Sequence, residues 1–588
     1  MFFSAGSSAL RTIVSLLVVG VLFEAPLITL AKPPADAASL TNEQRAQQVL
    51  SRLTFGARPG DVDKISQTGV DAFIDQQLDP DSIDDSAMQK RLDRLPTLNL
   101  STPALAEQYN PPKPTPTPTP SVTPTPIPAP PMNAVSDASG QMMLSPSPSA
   151  SVSPTPKPTP TPALKNPGMV VNELQRAKVL RAVYSERQLY EVMVDFWENH
   201  FSIFANKDAD RWMLTEFDRD VITPWALGSF RDLLGATAHS PAMLYYLDNW
   251  QSSVVKEYPA TKDKPARRTG GINENYAREL MELHTLGVDG GYTQKDVQEV
   301  ARCFTGWTIR KPNEEGLFVY NPAAHDQGEK TVLGVKIPAG GGIRDGERVL
   351  DILASSPATA RFISTKLARH FIGDDPPGAL IDRTAKVFLN SNGSIPETLK
   401  SLITSKEFTA AGTFQSKVKS PFQYVVSALR ATNAETDGTA ILDWIKRMGE
   451  PVFGRVTPDG YPDKADGWLS SNDLLTRFNF ASALAFGQIR GTSIKLEKLV
   501  NISASPPQLV ASVISAILSG YPSDRTRASL MKAATAEQPA QPQMLNTSAP
   551  SQGLALPGAQ QPKPADPQRI VAQQALALAL GSPEFQHR

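Results

Sequence analysis

The chain has 588 residues, and its 58 Lys and Arg residues nearly balance 59 Asp and Glu residues, giving a formal net charge of −1. No basic face stands out, which argues against nucleic acid as a partner. The single cysteine, Cys303, excludes an intramolecular disulfide. The 52 prolines are concentrated locally, so parts of the chain are not expected to contribute to a core.

The N-terminus has the pattern of a targeting segment. Arg11 precedes a short apolar run, Ile13–Phe23, which Glu24 and Pro26 interrupt before the small residues that end at Ala31. This pattern predicts a signal peptide over residues 1–31, with an uncleaved anchor as the alternative. No later segment is long and apolar enough to span a bilayer, so we expect an exported, soluble mature protein, either periplasmic or extracellular.

Two low-complexity tracts divide the remaining chain. Pro/Thr/Ser repeats predict a disordered, semi-rigid spacer over Ser101–Pro167, and a Pro/Gln-rich loop is predicted over Ala536–Pro567. The predicted parts are therefore N-terminal helices in residues 32–100, a main helical part in residues 168–535 and a C-terminal helix in residues 568–588.

Helical signals dominate these parts. Thr41–Gly56, Ser185–Phe201, Pro357–Gly373, Ser420–Ala434 and Arg569–Phe585 combine polar caps with apolar residues at helical spacing. Alternation typical of strands is scarce, and the best candidate is a hairpin that pairs Leu317–Pro322 with Lys330–Pro338. We expect a mainly α-helical fold: one large helical domain with a small β-hairpin and two disordered insertions.

The stretch Asn273–Val297 is the most polar in the chain. It predicts a helix capped by Asn273 or Asn275 that runs to Leu286, a turn at Gly287, and a second helix capped by Thr293 and Asp296. His284 falls on the apolar side of the first helix, and Glu279 and Glu282 fall on the other. Since Glu282 and His284 point in different directions, the stretch does not form a zinc motif by itself.

Three histidines, His200, His284 and His370, occupy the apolar face of a predicted helix near its C-terminal end. Each is typical of a buried histidine that caps free carbonyl groups. The alternative is that some of them converge on one buried polar site as ligands or acid–base groups.

His325 and Asp326 differ because they lie in a predicted loop, followed by Lys330. A loop histidine beside a carboxylate favours a functional role, and a turn in which Asp326 bonds local backbone amides is the alternative. Asp248 and Asn249 could orient a metal or sugar, or form an Asx turn. Trp307 is either a sugar platform or a packed aromatic residue, and packing is the commoner role; Cys303 is expected in the core.

Nine phrases of the sequence occur in an order that resembles the DUF1800 family. They include "VLSRLTFGARPGDV", "DFWENHF", "NENYARELMELHTLGVDGGYTQKDV", "ARCFTGWT", "HDQGEKTVLG" and "PDGYPDKADGWLSSNDLLTRFNFA". The resemblance runs from about Thr41 to Phe585 and implies an exported bacterial helical protein with no assigned function. It also implies a possible partner, a protein of the DUF1501 family, which resembles alkaline-phosphatase-like proteins.

The family-like phrases coincide with clusters of polar residues, and we expect a subset to meet in one cleft. These residues are Trp197, Asn199, His200, Asp248, Asn249, Asn273, Glu274, Asn275, Arg278, Glu279, Glu282, His284, Arg302, Trp307, His325, Asp326 and Lys330. Glu198 departs from the pattern, which favours an apolar or aromatic residue there, and this departure indicates a peripheral position.

Two hypotheses of function remain open. In the first, the protein is an envelope hydrolase or lyase that acts on a glycan, peptide or phosphate-bearing polymer. His325 would be the general base or a metal ligand, Asp326 would orient it, and His200, Glu282 and Arg278 would complete the site. In the second, the protein is a non-catalytic binding or assembly protein that docks a partner such as the DUF1501-like protein. The sequence identifies neither a cofactor nor a metal, and a haem carrier is a more distant third reading.

Overall fold

The structure, a computed structural model, describes residues 40–110, 165–262, 265–535 and 566–588. These ranges are mainly α-helical, which confirms the expected fold class. The predicted signal peptide and most of both proline-rich tracts lie outside the described residues. Within these ranges, no helix has the length and apolar character needed to cross a bilayer.

The first helices belong to the start and the central part of the chain. They are α1 Asn42–Leu53, α2 Asp61–Thr68, α3 Val70–Leu78, α4 Ser86–Leu92, α5 Thr102–Tyr109, α6 Gly168–Tyr184, α7 Gln188–His200, α8 Asp210–Glu216, α9 Phe230–His239, α10 Pro241–Tyr246, α11 Glu274–Glu282 and α12 Gln294–Cys303. A π-helical turn, Phe217–Ile222, follows α8 directly.

The remaining helices complete the fold. They are α13 Arg344–Ala354, α14 Pro357–Phe371, α15 Gly378–Asn390, α16 Ile395–Ile403, α17 Pro421–Ala431, α18 Thr439–Arg447, α19 Ser471–Ala485, α20 Leu496–Leu499, α21 Pro506–Leu518, α22 Asp524–Ala534, α23 Pro567–Gly581 and α24 Pro583–Gln586.

One hydrophobic core extends from Val49 in α1 to Phe585 in α24. The N-terminal helices reach it although residues 111–164 separate them in sequence from the main part. Phe55 packs edge-on against Phe422 of α17, with ring centroids 5.6 Å apart. Arg52 of α1 donates to the Thr413 carbonyl at 2.8 Å. The early helices therefore pack back across the first tract, as expected.

The predicted spacer over Ser101–Pro167 is wrong in its first residues, because Thr102–Tyr109 form α5. Leu105 and Tyr109 of this helix are 0% and 2% exposed. The backbone N–H of Thr102 donates to the Glu216 carboxylate at 3.0 Å, which fixes the first turn against α8. These residues precede the repeats and bury apolar side chains at helical spacing, so they belong to the core.

The two ends of the first tract meet. Lys165, the first described residue after the gap, donates to Gln108 Oε1 at 2.8 Å. Its ammonium group also lies 5.1 Å from the centroid of the Tyr109 ring. The chain therefore leaves the described fold and re-enters it at the same place.

The β structure of the described ranges consists of antiparallel sheets with two strands each. The strands are β1 Ser253–Tyr258, β2 Arg267–Gly271, β3 Trp307–Arg310, β4 Leu317–Tyr320, β5 Lys330–Val332, β6 Val335–Ile337, β7 Glu435–Thr436 and β8 Thr492–Ser493. The predicted pairing of Leu317–Pro322 with Lys330–Pro338 is wrong, because β4 pairs with β3 and β5 pairs with β6. Leu333 and Gly334 both have positive φ, 49° and 79°, and this tight turn folds the second segment onto itself.

The helix–turn–helix predicted in Asn273–Val297 forms with the expected caps. The Asn273 side chain accepts from the Asn275 N–H, and Thr293 and Asp296 form a capping box. However, α11 ends at Glu282 rather than at Leu286. The N–H of His284 bonds the Glu279 carbonyl, a wider spacing than an α-helix allows, and so the chain unwinds before Gly287.

We expect Leu105→Ala in α5 to lower the free energy of unfolding by about 2–4 kcal/mol, because it leaves a cavity in the core. Urea denaturation followed by circular dichroism measures the change. Glu107→Ala, on the exposed side of the same helix, is the matched control and should change stability by less than about 0.5 kcal/mol. Equal effects of the two substitutions would contradict the placement of α5.

Candidate functional site

His325 lies in a buried ion cluster rather than in an open loop. Its Nδ1 is 2.8 Å from the Thr305 carbonyl oxygen, and its Nε2 is 3.1 Å from Asp345 Oδ2. Lys330 Nζ is 2.7 Å from the same carboxylate oxygen, and the three side chains are at most 1% exposed. Both ring nitrogens of His325 therefore have partners, and a substrate has no access to them.

Asp326 does not orient His325, contrary to the prediction, because Asp345 takes that place. The Asp326 carboxylate instead receives two bonds from Arg302, at 2.8 Å and 3.1 Å, and accepts the Gly328 N–H at 2.8 Å. Burial opposes ionisation, but Arg302 outweighs it and holds the pKa of Asp326 below its ordinary value. This arrangement is the local turn considered as the alternative, reinforced by an ion pair.

His200 and His284 lie next to each other in the core. His200 Nε2 is 3.1 Å from the His284 carbonyl oxygen, and the ring centroids are 6.1 Å apart. Burial, and then the charge of Lys366, lowers the pKa of His200 well below its ordinary value and that of His284 to about 3. Both rings are therefore neutral at physiological pH, and both belong to a different cluster from His325.

Polar residues of the α11–α12 region bond to one another at the surface. Arg278 donates to Gln294 Oε1 at 2.9 Å, and Glu282 accepts the Tyr292 hydroxyl at 2.7 Å. Burial and the charge of Glu282 raise the pKa of Glu279. The remaining residues of this group are Asn273 and Glu274, which are partly buried, and Asn275, which is exposed.

The other predicted residues mostly support the backbone. Asn249 donates to the carbonyl oxygens of Phe304 and Trp307, at 3.2 Å and 3.1 Å. Asp248 is ion-paired with Lys207 at 2.8 Å. Trp307 and Trp197 are 0% exposed, so Trp307 is the packed aromatic residue rather than a platform. Cys303 is buried in the core, as expected.

A cavity of about 90 Å³, called here the central cavity, is lined by a set of polar residues that the sequence did not predict to meet. It lies between α7, the segment before α17 and the loop of residues 450–468. Its polar and charged lining consists of Lys178, Asp195, Glu198, Asn199, Ser202, His370, Lys417, Ser420, Gln423, Glu450, Arg455, Tyr461, Asp463 and Arg588. Of the residues predicted from the family-like phrases, Asn199 alone lines it. A water molecule needs only about 10–15 Å³ by this measure, so the cavity has room for a compact polar group.

Lys178 of α6 is the central cation of the lining. Its Nζ lies 2.7 Å from Asp195 Oδ1 and 2.7 Å from Glu198 Oε2. Burial opposes the charge, but the two carboxylates outweigh it and raise the pKa of Lys178. Glu198 is only 5% exposed, so the peripheral position indicated by the sequence is wrong. Its charge is accommodated because Lys178 lies against it.

Glu198 also connects the central cavity to a second buried carboxyl. Its carboxyl lies near that of Asp218, whose Oδ1 is 2.6 Å from Arg181 Nη2. Burial raises the pKa of Glu198, whereas the charge of Arg181 outweighs burial and lowers the pKa of Asp218. The two neighbouring carboxyls therefore differ in how readily they ionise.

The same network reaches a second cavity, of about 430 Å³, beside the first turn of α7. Arg181, Asp218 and Glu191 line it. Burial raises the pKa of Glu191 to about 7, against the opposing charge of Arg181. Buried charged side chains thus border both cavities.

Glu450 is the carboxyl of the central cavity that titrates near neutrality. Burial raises its pKa to about 7, although its Oε2 accepts the Phe422 N–H at 2.7 Å and so caps α17. The charge of Asp195 adds to this rise. The cavity therefore holds one carboxyl that is protonated at mildly acid pH and another, on Asp195, that is ion-paired.

The loop of residues 450–468 is held in place by Asn199. The backbone N–H of Tyr461 donates to Asn199 Oδ1 at 2.7 Å, and Asn199 Nδ2 donates to the Tyr461 carbonyl at 3.1 Å. Gly460 has φ 73°, and a Cβ there would lie 2.2 Å from the Asn199 carbonyl oxygen, so only glycine permits this approach. The pair of bonds closes one side of the central cavity.

Sequence signals for these residues existed but were indirect. Asp195 and Glu198 are charged residues within the family-like phrase that ends α7, and Tyr461 and Asp463 lie in another such phrase. Lys178 and Glu450 belong to none of the quoted phrases, and no short motif marks them. Within the described ranges, no group of three or more His, Cys, Asp or Glu residues has metal-site geometry.

Comparison with known proteins gives one match. A family model described as "Protein of unknown function (DUF1800)" matches residues 48–587, nearly the whole chain. No curated protein and no solved structure matches.

We expect His325→Ala to lower the free energy of unfolding by about 2 kcal/mol or more, because it removes a buried partner of Asp345 and Thr305. Thermal and urea denaturation measure the loss. Glu329→Ala, four residues further on and exposed, should leave stability within about 0.5 kcal/mol. If His325→Ala were as stable as the parent, the buried cluster would not be a structural element.

Proposed function

The chain belongs to the DUF1800 family of proteins of unknown function, and we propose that it is an exported enzyme that performs acid–base chemistry in the central cavity. The proposed substrate is a polymer of the cell envelope, and hydrolysis is the favoured reaction. One observation carries this proposal: Glu450 and Asp195 line the same cavity in different environments.

Two carboxyls in different environments can divide the roles of acid and base. Glu450, with a pKa of about 7, retains its proton in mildly acid and neutral conditions and can give it to a leaving oxygen. Asp195, ion-paired with Lys178 at 2.7 Å, supplies a carboxylate that can activate water or stabilise developing positive charge. The bond to the leaving group breaks as it takes the proton from Glu450, and the attacking water gives its proton to Asp195.

Three further groups suit this assignment. Lys178 neutralises Asp195 and Glu198 in the resting site and fixes the direction of both carboxylates. Asn199 positions the loop that carries Tyr461, whose hydroxyl donates to the Pro451 carbonyl at 2.7 Å. These contacts hold the cavity in one shape before a ligand arrives, and such preorganisation favours catalysis.

The proposal keeps the class of reaction suggested by the sequence and changes its residues. His325 and Asp326 have their polar partners within the fold, His200 is buried with its Nε2 against the His284 carbonyl oxygen, and Glu282 and Arg278 bond within the α11–α12 surface cluster. Export rests on the signal-peptide pattern of residues 1–31.

The binding or assembly alternative is favoured by one feature, the β1–β2 hairpin. Its residues 256–258 and 267–268 are exposed, and Arg267 lies over the exposed Tyr258 ring at 5.3 Å. Such a basic and aromatic arm suits a partner protein, for which a DUF1501-like protein is the proposed identity.

The proposed reaction is tested by incubating the purified protein with peptidoglycan, teichoic acid and capsular polysaccharide and measuring released reducing ends and phosphate. We expect release from one polymer, and a loss of about a hundredfold or more in Glu450→Gln and in Asp195→Asn. Glu314→Gln, at an exposed position, should retain the parent rate. Equal rates for parent and Glu450→Gln, or no release from any polymer, would exclude the proposed acid–base pair.

Glu450→Gln also has an expected effect on stability that does not depend on a substrate. Glu450 ionises near pH 7 in the folded protein and near its ordinary value of 4.5 when unfolded. The folded state therefore binds more protons between these values, and stability falls as pH rises from about 4.5 to 7. We expect the substitution to raise the free energy of unfolding by up to about 3 kcal/mol at pH 8 and to change it little at pH 4. Urea denaturation of the parent and of Glu450→Gln at both pH values measures this effect. If the substitution changed the free energy of unfolding equally at pH 4 and pH 8, the raised pKa of Glu450 would be contradicted.

A further inference from the structure

The segment Lys417–Ser420 is bordered by buried side-chain cations, most of which have no side-chain carboxylate as a direct partner among the described residues. The last three residues of the sequence pair with this segment: Arg588 N–H donates to the Lys417 carbonyl at 2.7 Å, and Lys419 N–H donates to the Gln586 carbonyl at 2.9 Å. This pairing brings Lys417, Lys419 and Arg588 together, and they are 6%, 8% and 4% exposed. Arg52 of α1 lies behind them and is 0% exposed.

Only one of these cations has a carboxylate partner. Lys417 Nζ is 2.7 Å from Asp374 Oδ1. Lys419 donates instead to the Phe585 carbonyl at 2.7 Å, and Arg588 Nη2 to the His370 carbonyl at 3.1 Å. Within the described ranges, Arg52, Lys419 and Arg588 form no ion pair. Burying a cation without a counter-charge costs free energy, so such a surplus needs an explanation.

Several donors of the cluster are also without an acceptor. Arg588 Nε and Arg52 Nε and Nη1 are buried and have no hydrogen-bond partner among the described residues. The ring Nε2 of His370 also has no partner among the described residues, and His370 lines the central cavity. Buried donors are nearly always paired in folded proteins, and an anion bound in the central cavity would pair Arg588 Nε, whereas Arg52 does not line that cavity.

Arg588 places the buried cations at the walls of two cavities. Arg588 and Gln423 line both the central cavity and an adjoining cavity of about 80 Å³, which Lys419 also lines. Arg588 therefore stands in the wall between two cavities, with Lys417 on one side and Lys419 on the other. A small anion that enters either cavity meets two of these three cations.

The acidic residues of the central cavity do not cancel this surplus. Asp195 and Glu198 are satisfied by Lys178, and Asp463 lies 3.4 Å from Lys366 Nζ. Arg455, the other arginine of the lining, is bound by Asp459 at 2.9 Å. Asp374 and Asp195 attract the charge of Arg588 from a distance, and neither forms an ion pair with it.

Burial and mutual repulsion lower the pKa values of these cations. Burial, and then the charge of Arg588, lowers the pKa of Lys417 to about 8 and that of Lys419 to about 7. Burial lowers the pKa of Arg588 to about 10. A bound anion would remove the mutual repulsion that contributes to these shifts.

We infer that Lys417, Lys419 and Arg588 form a binding site for a compact oxyanion, a phosphate or a carboxylate, carried by the ligand of the central cavity. This inference rests on the proposed function for the role of the bound group, and it narrows the proposed substrate to an anionic polymer. The cations would hold the anionic group at the wall between the cavities, and the neighbouring bond would lie toward Glu450 and Asp195.

The site is tested with inorganic phosphate as the probe, on the full chain, by isothermal titration calorimetry and by competition against chloride in ³⁵Cl nuclear magnetic resonance. We expect one phosphate to bind the parent protein, and its dissociation constant to rise at least about tenfold in Arg588→Gln, since a charge-assisted bond to a buried donor is lost. Arg455→Gln is the matched control, an arginine of the same cavity that already has a carboxylate partner, and it should bind within about twofold of the parent.

Two outcomes are decisive. No saturable phosphate binding to the parent protein, or equal losses in Arg588→Gln and Arg455→Gln, overturns the inference. If Arg588→Gln does not fold, Lys417→Gln is used with the same tenfold criterion, and the chloride competition on the parent needs no variant. Acetate in place of phosphate identifies carboxylate preference, and glucose 1-phosphate distinguishes a sugar-borne phosphate from the free ion.

The proposed function and this inference are tested by different outcomes. Glu450→Gln should bind phosphate as the parent does, because Glu450 takes no part in the cationic cluster. Phosphate binding together with no polymer cleavage would retain the anion site and reject the acid–base proposal. Cleavage of an uncharged polymer without phosphate binding would retain the acid–base proposal and reject the anion site.

Discussion

The ion pairs of Lys178 with Asp195 and Glu198 are the constraint on which the central cavity depends. They join α6 to α7 in the interior, where an unpaired charge would be costly. Since Lys178 satisfies both carboxylates, α7 can present charged side chains toward a cavity and still pack its apolar side in the core. Removal of the ammonium group would leave two adjacent carboxylates with no counter-charge between them.

The distribution of protons around the cavity follows from the same pairing. Glu198 adjoins Asp218, and Arg181 lowers the pKa of Asp218 while burial raises that of Glu198. Glu450 lines the same cavity as Asp195, and burial raises the pKa of Glu450 to about 7. Chemically similar carboxyls around one cavity therefore have different environments, and this is how folded proteins assign acid and base roles to them.

The sequence predicted the helical fold, the caps of α11 and α12, and the burial of His284, since these depend on spacing along one element. It did not predict the pairing of β5 with β6, because the tight turn at Leu333 and Gly334 decides that pairing locally. The central cavity was harder to foresee: Lys178, Glu450 and Arg588 are far apart in sequence and meet only through packing. His325 was misplaced because its counter-charge, Asp345, is twenty residues away on α13.

The contact of Lys165 with Gln108 and Tyr109 has a consequence for how the proline-rich segment can vary. Since the described residues on the two sides of this segment lie at one place, the segment does not have to span any distance across the helical body, whatever its length. Repeats can thus be gained or lost there with little penalty to the helical body. The junction is a natural place to insert a tag or reporter, or to excise the repeats, while the cavities keep their geometry.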